Sequence, residues 1–401
     1  MDVPSCLPTE ALPREADRDG AVLLDRGAFV DERKAAAELR CTSGIAGLTA
    51  LRSEWAALTP MLHETRFHHQ HAWLLGYLCN LERDPSAVHF FSFYRSGRPV
   101  GIFPLRHVRR TVSGVELRVW ELPCEPHMDL CDILVARDED SAALLCELVR
   151  ALGRPGLPWD ALHLPKMIEG AVALRALQAA PLSFVSIART GQSMHFNCGS
   201  LDSALRDASP QFVRNLRRQR RKLDRHGRIE VSMVREPAAL EAALADFLHI
   251  EASGWKGACG SAIRLHHEVE TFYRDLTRQF GAANRCSINL LKLDGKVIAA
   301  QYGLIDGRRM NLLKIAYDEA YAAEAPGSRL LHDVLAWCCE SNEIDELSLV
   351  TGPSWAPGRW NPETLDVWSA HVFNTSPRGL AAYAATCLKP IAAGARTLLL
   401  E

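Results

Sequence analysis

Three ionisable side chains precede a small-residue turn in the second half of the chain, within the run from Leu312 to Leu331. Lys314, Asp318 and Glu319 follow an apolar strand, and Pro326-Gly327-Ser328 then leads into an amphipathic helix. Free backbone N–H groups and the helix dipole point the same way at such a turn, which favours an anion. The run therefore predicts chemistry on a phosphate-bearing substrate. The alternative is an ordinary strand-to-helix connection in which Ser328 caps the helix.

A glycine-rich segment, Glu251-Ala-Ser-Gly-Trp-Lys-Gly257, carries Trp255 and Lys256 out of a predicted helix. Such a segment fits a clamp that closes on a substrate. A helix C-cap followed by an exposed connection explains it equally well.

A basic run from Arg214 to Arg228 holds eight Lys and Arg residues against one Asp. Leu216 and Leu223 lie seven residues apart, which predicts a helix with one apolar line and a dense cationic face. A solvated helix face is one explanation. Binding of a phosphate group through residues such as Arg217 and Arg221 is the other. Nucleic acid is disfavoured as a partner because no aromatic residues interleave to stack on bases.

Several other groups of polar residues are explained without a functional site. His63, His68, His69 and His71 predict a surface loop and no metal site, since they lack the spacing and carboxylate partners of a metal centre. Asp129, Cys131 and Asp132 precede a strand and fit either a cleft or a turn. The sequence contains no Gly-x-Ser-x-Gly elbow, no Walker loop and no dinucleotide fingerprint, which disfavours hydrolases, ATPases and dehydrogenases.

The length of the chain and the order of its predicted helices and strands indicate an α/β protein of two domains. A length of 401 residues exceeds one ordinary domain, and 48% apolar residues suffice for two cores. The order helix, helix, hairpin, strand, helix, strand occurs twice, and Asp294-Gly295 is the clearest hairpin turn. We predict a loosely ordered segment over residues 1–40, a first domain over 41–195, and a second domain over 196–401 that holds the active site.

Charge and cysteine usage narrow the setting. The formal net charge of −2 gives no overall attraction to nucleic acid or anionic membranes. The N-terminus lacks the basic and apolar regions of a signal peptide, and no stretch reaches the roughly 18 apolar residues of a membrane span. Twelve cysteines without repeated Cys-x-x-Cys pairs indicate free thiols, so we expect a cytoplasmic protein without a membrane span.

From about Leu51 to Phe373 the chain resembles the CelD/BcsL-like branch of the GNAT acyltransferase superfamily, which is linked to cellulose and exopolysaccharide biosynthesis. The resemblance rests on five segments in order: Arg217-Arg-Gln-Arg-Arg-Lys-Leu223, Ser253-Gly-Trp-Lys-Gly257, Leu293-Asp-Gly-Lys-Val-Ile-Ala299, Leu313-Lys-Ile-Ala-Tyr-Asp-Glu319 and Pro326-Gly327. It implies two tandem GNAT-like domains, each a mixed and mostly antiparallel sheet flanked by helices. The chain is also distantly similar to the Fem peptidyltransferases, which share this tandem arrangement.

The resemblance implies transfer of an acyl group from acyl-CoA, with acetyl-CoA as the expected donor, to an amine or hydroxyl of a small-molecule or glycan acceptor. We expect Asp318 to be the base, with Glu251 as the alternative and Lys314 beside them. The donor site would comprise Ala316, Tyr317, Pro326, Gly327, Ser328, Arg329 and Leu330. The acceptor would contact Trp255, Lys256, Gln301, Tyr302, Trp355, Arg359, Arg217 and Arg221.

Two alternatives stay open. One is a Fem-like transferase that uses aminoacyl-tRNA, because the donor loop reads Glu324-Ala-Pro-Gly-Ser-Arg329 where acetyl-CoA enzymes carry more glycines. The other is a non-catalytic GNAT-like scaffold within a polysaccharide synthase complex. The sequence leaves the acyl group, the acceptor and the oligomeric state open.

Overall fold

The computed structural model describes residues 37–153, 156–351, 356 and 359–398, with side chains described as far as Leu388. The first half of this region contains β1 (Glu38–Ser43), α1 (Gly44–Ala50), α2 (Arg52–Leu58), α3 (His71–Asn80), β2 (Val88–Arg95), β3 (Arg98–Val112), β4 (Val115–Glu121), β5 (Leu134–Val135), α4 (Ser141–Ala151), β6 (Ala161–Ile168), α5 (Val172–Ala179) and β7 (Val185–Asn197). The second half contains α6 (Leu201–Ala204), α7 (Pro210–Leu223), β8 (Ile229–Val234), α8 (Pro237–Ser253), α9 (Trp255–Ala258), α10 (His267–Ala282), β9 (Cys286–Leu293), β10 (Lys296–Asp306), β11 (Arg309–Tyr317), α11 (Pro326–Ser341), β12 (Glu346–Ser348), β13 (Glu363–Phe373) and α12 (Pro377–Leu398).

The strands form one mixed sheet in the order β1-β2-β3-β4-β6-β13-β7-β12-β11-β10-β9-β8, with β5 beside β3. Most neighbours are antiparallel, and the parallel pairs are β4 with β6 and β11 with β12. We call the strands β1–β6 with β13 the first arm, and β7–β12 the second arm. The predicted α/β class, with a mostly antiparallel sheet and flanking helices, is confirmed.

The repeated element order predicted from the sequence is also confirmed. Helices α2 and α3, hairpin β2–β3, strand β4, helix α4 and strand β6 recur as α8 and α10, hairpin β9–β10, β11, α11 and β12. The Asp294-Gly295 turn has positive φ at both residues (47° and 82°), as a type I′ hairpin turn requires. Ser96 and Gly97 make the same kind of turn between β2 and β3.

The last strand of each half pairs outside its own sequence half. β7 pairs with β12 of the second arm, and β13 pairs with β6 of the first arm, while β7 and β13 also pair with each other. Helix α12 packs on β4 and β13. The predicted division between residues 195 and 196 falls inside β7, and the described residues from Ala37 onward form one compact unit. The division stays a prediction. Of the predicted loosely ordered segment 1–40, residues 1–36 lie outside the described residues.

The apolar faces of the helices bury the sheet on both sides. Phe272, Tyr273 and Leu276 of α10 join the larger core, whereas Leu330, Leu331 and Val334 of α11 join a second one. Each such side chain stabilises the fold by about 1.5–3 kcal/mol through removal of apolar surface from water. Among the described residues, no helix is both long and apolar enough to cross a membrane.

The half-buried carboxylate of Glu346 should make stability depend on pH. Burial opposes ionisation of Glu346, but bonds from His195 and Arg309 outweigh it and lower the pKa of Glu346 to about 2. The native state therefore binds fewer protons than the unfolded state between about pH 4.5 and pH 2, so stability should be full above pH 4.5 and fall as the pH drops through that window. We expect a loss of roughly 1–3 kcal/mol after solvent screening.

Urea unfolding at pH 6 and pH 3 measures this term. Glu346→Gln should remove it, so that the variant shows a smaller difference between the two pH values than the wild type does. An equal difference in both proteins would contradict the assignment.

Candidate active site at the junction of the two arms

Strand β11 has a free edge along its second half. It pairs with β10 from Arg309 to Tyr317, but with β12 only from Arg309 to Asn311. In the described region no strand pairs with the other side of residues 312–317. Peptide groups on an unpaired strand edge seek hydrogen-bond partners, so this edge can bind an extended ligand.

The first turn of α11 lies against the end of this edge. A Cβ atom on Gly327 would be 3.5 Å from Cδ1 of Tyr317, which places the two predicted donor-site residues in contact. Ala316, the neighbour of Tyr317 on β11, packs on the larger core. The helix starts at Pro326, after Ala325 in the left-handed region with φ of 50°. The predicted Pro-Gly-Ser loop is therefore wrong in detail, because proline is pre-organised for the first helical position.

The remaining donor-site residues differ in what they offer. The N–H groups of Ser328 and Arg329 bond the Ala325 carbonyl. The Arg329 guanidinium pairs with Asp333 of the same helix at 2.5 Å and with Asp224 at the end of α7 at 3.3 Å. Leu330 is fully buried. The side chains of Arg329 and Leu330 therefore do not face the free edge.

Asp318, expected from the sequence to be the base, is held by a salt bridge and a backbone hydrogen bond. Its Oδ2 pairs with Lys296 Nζ at 2.8 Å, and its Oδ1 accepts from the N–H of Ala320 at 3.0 Å. The Lys296 bond lowers the pKa of Asp318. Both oxygens are occupied and the proton affinity is reduced, so this geometry disfavours Asp318 as a proton acceptor.

Glu251, the alternative base, lies at the junction of the arms. It is buried on α8, with Oε2 accepting from the N–H of Ile263 at 2.9 Å and Oε1 3.3 Å from Lys256 Nζ. Lys256 Nζ also donates to the carbonyl of Ile315 at 3.2 Å. Glu251 thereby holds an ammonium group against the free edge of β11.

Lys314 meets a carboxylate from the first arm. Its Nζ lies 3.5 Å from Oδ2 of Asp129, in the segment between β4 and β5. Burial raises the pKa of Asp129, against the opposing charges of Lys314 and Lys166. No described residue donates a hydrogen bond to Oδ1 of Asp129. A carboxylate with a raised pKa and an open oxygen can accept a proton.

Two further side chains complete what we call the junction cluster: Asp129, Glu251, Lys256, Lys314, His127 and Tyr273. The Nδ1 atom of His127 lies 3.3 Å from the hydroxyl of buried Tyr273. Burial lowers the pKa of His127 to about 4, and the charges of Lys314, His266, Lys166 and Lys256 act in the same direction. His127 is therefore neutral at pH 7, in surroundings that carry positive charge.

The other predicted contacts are scattered. Trp255 follows α8 and is 61% exposed. Its backbone N–H donates to the Glu319 carboxylate. Gln301 is buried and accepts from Asn289, while Tyr302 is buried behind Tyr273 with ring centroids 5.1 Å apart. Neither Gln301 nor Tyr302 reaches a surface ligand, because both lie inside the sheet and its core.

The predicted arginines lie elsewhere. Arg217 and Arg221 are exposed on α7, and Arg217 lines a groove of about 180 Å³ between α6, α7 and α11. The carbonyl of Arg359 accepts from Ser209 at the start of α7, so this residue is also remote from the cluster. Trp355 lies outside the described residues. The structure contains no group of three potential metal ligands among the residues it describes.

Sequence reasoning missed His127 and Tyr273 and left Asp129 undecided. Asp129 and His127 stand in an irregular segment, and their partners come from α10 and β11 far along the chain. No local pattern could pair them.

Comparison with known protein families finds one similarity, in the second half of the chain. Residues 210–356 match a family model described as an acetyltransferase (GNAT) domain. Residues 210–356 are therefore similar to a GNAT domain. This region holds the free edge of β11, the start of α11, and the cluster residues Glu251, Lys256, Tyr273 and Lys314. No curated protein matches the sequence.

Solved structures share the fold over most of the chain. FemX has a TM-score of 0.53 at 10% identity, covering 81% of this chain and 96% of its own. The C-terminal domain of a putative lysylphosphatidylglycerol synthetase from Agrobacterium fabrum has a TM-score of 0.50 at 13% identity, covering 84% and 96%. A conserved protein of unknown function from Bacteroides thetaiotaomicron has a TM-score of 0.50 at 11% identity, covering 81% and 97%. The predicted similarity to Fem proteins is confirmed at the level of fold. The CelD/BcsL-like assignment stays a prediction.

Proposed function

We propose that the protein transfers an acyl group from acyl-CoA to an amine or hydroxyl of an anionic sugar or cell-envelope precursor. One observation carries this proposal: the free edge of β11 leads from the first turn of α11 directly into a cluster of ionisable groups from both arms. Lys314 and Ile315 belong to that edge and also contact Asp129 and Lys256. A donor bound along the edge would thus present its thioester to the cluster.

The donor phosphates fit the start of α11. Pro326 has no N–H, and the described residues offer no acceptor for the N–H of Gly327 within hydrogen-bond distance. The positive end of the 16-residue helix points at the same place. The pantetheine arm would then lie along residues 312–317 of β11.

In this proposal Asp129 accepts the proton of the attacking amine or hydroxyl, because burial raises its pKa and one oxygen is open. Lys256, held by Glu251, stabilises the negative charge that develops on the thioester oxygen. The electron pair of the new bond comes from the acceptor, and the coenzyme A thiolate leaves. Because attack is direct, no covalent enzyme intermediate is required.

The acceptor class rests on the charge of the cluster and on the sequence resemblance. Lys166, Lys256 and Lys314 all act electrostatically on His127, which favours an acceptor that carries a phosphate or carboxylate. A nucleotide-linked sugar has this chemistry, and a polysaccharide-synthesis complex is the partner we propose for such a product.

A thermal-shift series with coenzyme A thioesters, followed by assay of free thiol release with amino sugars and sugar nucleotides, tests the proposal. A thioester at 100 times its dissociation constant should stabilise the protein by about 2.7 kcal/mol. Absence of a shift with every thioester, together with transfer that requires charged tRNA and is lost after RNase treatment, would overturn it in favour of a Fem-like donor.

A charge at the start of α11 tests the donor site itself. Gly327→Asp should raise the KM for acyl-CoA at least tenfold, about 1.4 kcal/mol, because a carboxylate would repel the donor phosphates. Space is not limiting, since the nearest atom to a Cβ there is 3.5 Å away.

Ser341→Asp is the matched control, because it adds the same charge at the other end of the same helix. It should leave the KM for acyl-CoA within about twofold of wild type. The two ends of the helix lie roughly 20 Å apart, and salt screens a charge over that distance. Equal effects of the two substitutions would show that the donor phosphates bind elsewhere.

A further inference from the structure

Three polar side chains from neighbouring strands of the first arm meet on one face of the sheet, outside the region similar to a GNAT domain. Glu121 on β4 is paired in register with His163 on β6, and Ser369 lies on β13, the next strand. The Nδ1 atom of His163 lies 3.4 Å from Oε2 of Glu121, and its Nε2 lies 3.0 Å from Oγ of Ser369. The acyltransfer proposed above uses none of these residues.

The strand pairing is irregular at this point. The register between β13 and β6 shifts between Trp368 and Ala370, so the single residue Ser369 faces two residues of β6, Pro165 and Lys166. On the facing strand Lys166 has a positive φ of 50°, a sparsely populated conformation for a residue with a side chain. Bulges re-aim side chains and occur often beside active sites. Here the bulged strand is β6, which also carries His163.

The order of the contacts fixes the roles of the atoms. With Nδ1–H donating to the Glu121 carboxylate, Nε2 is free to accept from the Ser369 hydroxyl. Burial alone would raise the pKa of Glu121, but bonds from His163 and Arg110 and the charge of Arg106 lower it to about 2. The carboxylate is therefore ionised at neutral pH and can stabilise an imidazolium.

A second histidine supports the ring. His371 stacks on His163 with centroids 4.2 Å apart and an interplanar angle of 5°. Burial lowers the pKa of His371 to about 3, and the charge of His163 acts in the same direction, so His371 is neutral at pH 7. It fixes the plane of the His163 ring without competing for a proton.

We propose that Ser369 is a nucleophilic serine, with His163 as its base and Glu121 as the group that orients the base, and that it takes an acyl group from an ester. The hydrogen bonds run from nucleophile to base to carboxylate, the arrangement that recurs on unrelated folds that cleave esters. No sequence motif predicts this arrangement, because Ser369 stands within a strand and lacks the glycine elbow found in one such fold.

The chemistry balances with water as the only co-reactant. The Ser369 oxygen attacks the ester carbonyl as His163 Nε2 takes the hydroxyl proton, and the departing alkoxide then receives that proton. Water attacks the acyl-serine, gives a proton to His163, and releases the carboxylic acid. The proton returns to Ser369.

The three strands leave this face open to a reagent. Ser369 is half-buried, the side chain of His163 is 22% exposed, and residues 187–191 of the adjacent strand β7 are exposed. A small activated ester or phosphonate can therefore approach the hydroxyl.

The full chain is treated with a fluorophosphonate probe, and the labelled residue is identified by peptide mass mapping. We expect one probe per chain on Ser369, and a matching burst of p-nitrophenol from p-nitrophenyl acetate. His163→Gln should slow labelling by about 10²–10⁴-fold, the usual contribution of a general base. Ser186→Ala, on the strand beside β13, should label at the wild-type rate.

Labelling at another residue, or no labelling of the wild type, would overturn the proposal. So would an unchanged labelling rate in a folded His163→Gln variant, since a merely exposed serine needs no base. If that variant does not fold, the wild-type protein alone tests the proposal. Labelling of Ser369 must then be much faster than labelling of Ser186 on the neighbouring strand, and equal rates would overturn the proposal. The proposed acyl transfer from coenzyme A thioesters depends on other residues, so the acyltransferase proposal and the Ser369 proposal can fail separately.

Discussion

Asp129→Asn should lower the turnover number for acyl transfer by about 10²–10⁴-fold, the contribution expected of a positioned general base. The amide keeps the shape of the carboxylate but cannot accept the proton. The KM for the donor should stay close to wild type, because Asp129 faces Lys314 and the proposed donor phosphates lie at α11. Steady-state kinetics with saturating acyl-CoA measure both quantities.

Asp318→Asn is the matched control, because it makes the same change in a carboxylate that also follows β11. Its partner Lys296 is exposed, and exposed pairs contribute only about 0–1 kcal/mol. We expect a turnover number within a few-fold of wild type. A large loss in Asp318→Asn with none in Asp129→Asn would restore the base predicted from the sequence.

The pH profile separates a base from a residue that only positions others. The pKa of Asp129 is raised by burial, so wild-type activity should fall on the acid side as Asp129 becomes protonated. Asp129→Asn should lose that acid limb and keep a low, flat rate there. Retention of the same limb in the variant would assign the limb to another group.

Asp306→Ala should destabilise the fold by about 3–5 kcal/mol, the usual result of breaking a buried ionic network. Oδ2 of Asp306 accepts from the N–H of Phe67 at 2.7 Å and from the Asn311 amide at 3.0 Å, and Oδ1 lies 3.6 Å from Arg309. Arg309 in turn pairs with Glu64 and Glu346. Removal of the carboxylate takes one of three anions from Arg309 and leaves the buried N–H of Phe67 and the Asn311 amide without this acceptor.

Asp345→Ala is the control for charge and size. Asp345 makes two bonds of 2.6 Å to Arg308, but both side chains are more than half exposed. Its loss should cost about 0–1 kcal/mol. Urea unfolding of both variants at pH 7 gives the comparison, and a cost below 1 kcal/mol for Asp306→Ala would show that the network does not hold the two arms together.

Local features of the fold could be predicted and distant ones could not. The hairpin at Asp294-Gly295 follows from two residues that tolerate positive φ between apolar runs, so the sequence alone predicts it. The junction cluster depends on the contact between Asp129 and Lys314, which lie far apart in the sequence. No periodicity of the sequence predicts that contact. Glu251 and Lys256 were predicted because they sit in one recognisable segment.

Asp318 and Ser328 show how a correct element can yield an uncertain role. Strand β11 and helix α11 are where the pattern places them, but Asp318 caps the turn after β11 and pairs across the hairpin with Lys296. Ser328 lies one turn too far along to cap α11, which begins after a left-handed alanine. Both details depend on backbone angles that residue types alone do not fix.

The exchange of β7 and β13 between the arms has a consequence for biosynthesis. The ribosome releases β6 long before β13, so the first arm keeps an open edge until residue 373 has emerged. Open strand edges recruit other chains, and long-range pairing is slow. The nascent chain must therefore keep its central edges protected until β13 has been translated, and no single cut in the gene would separate the strands of the first arm from those of the second.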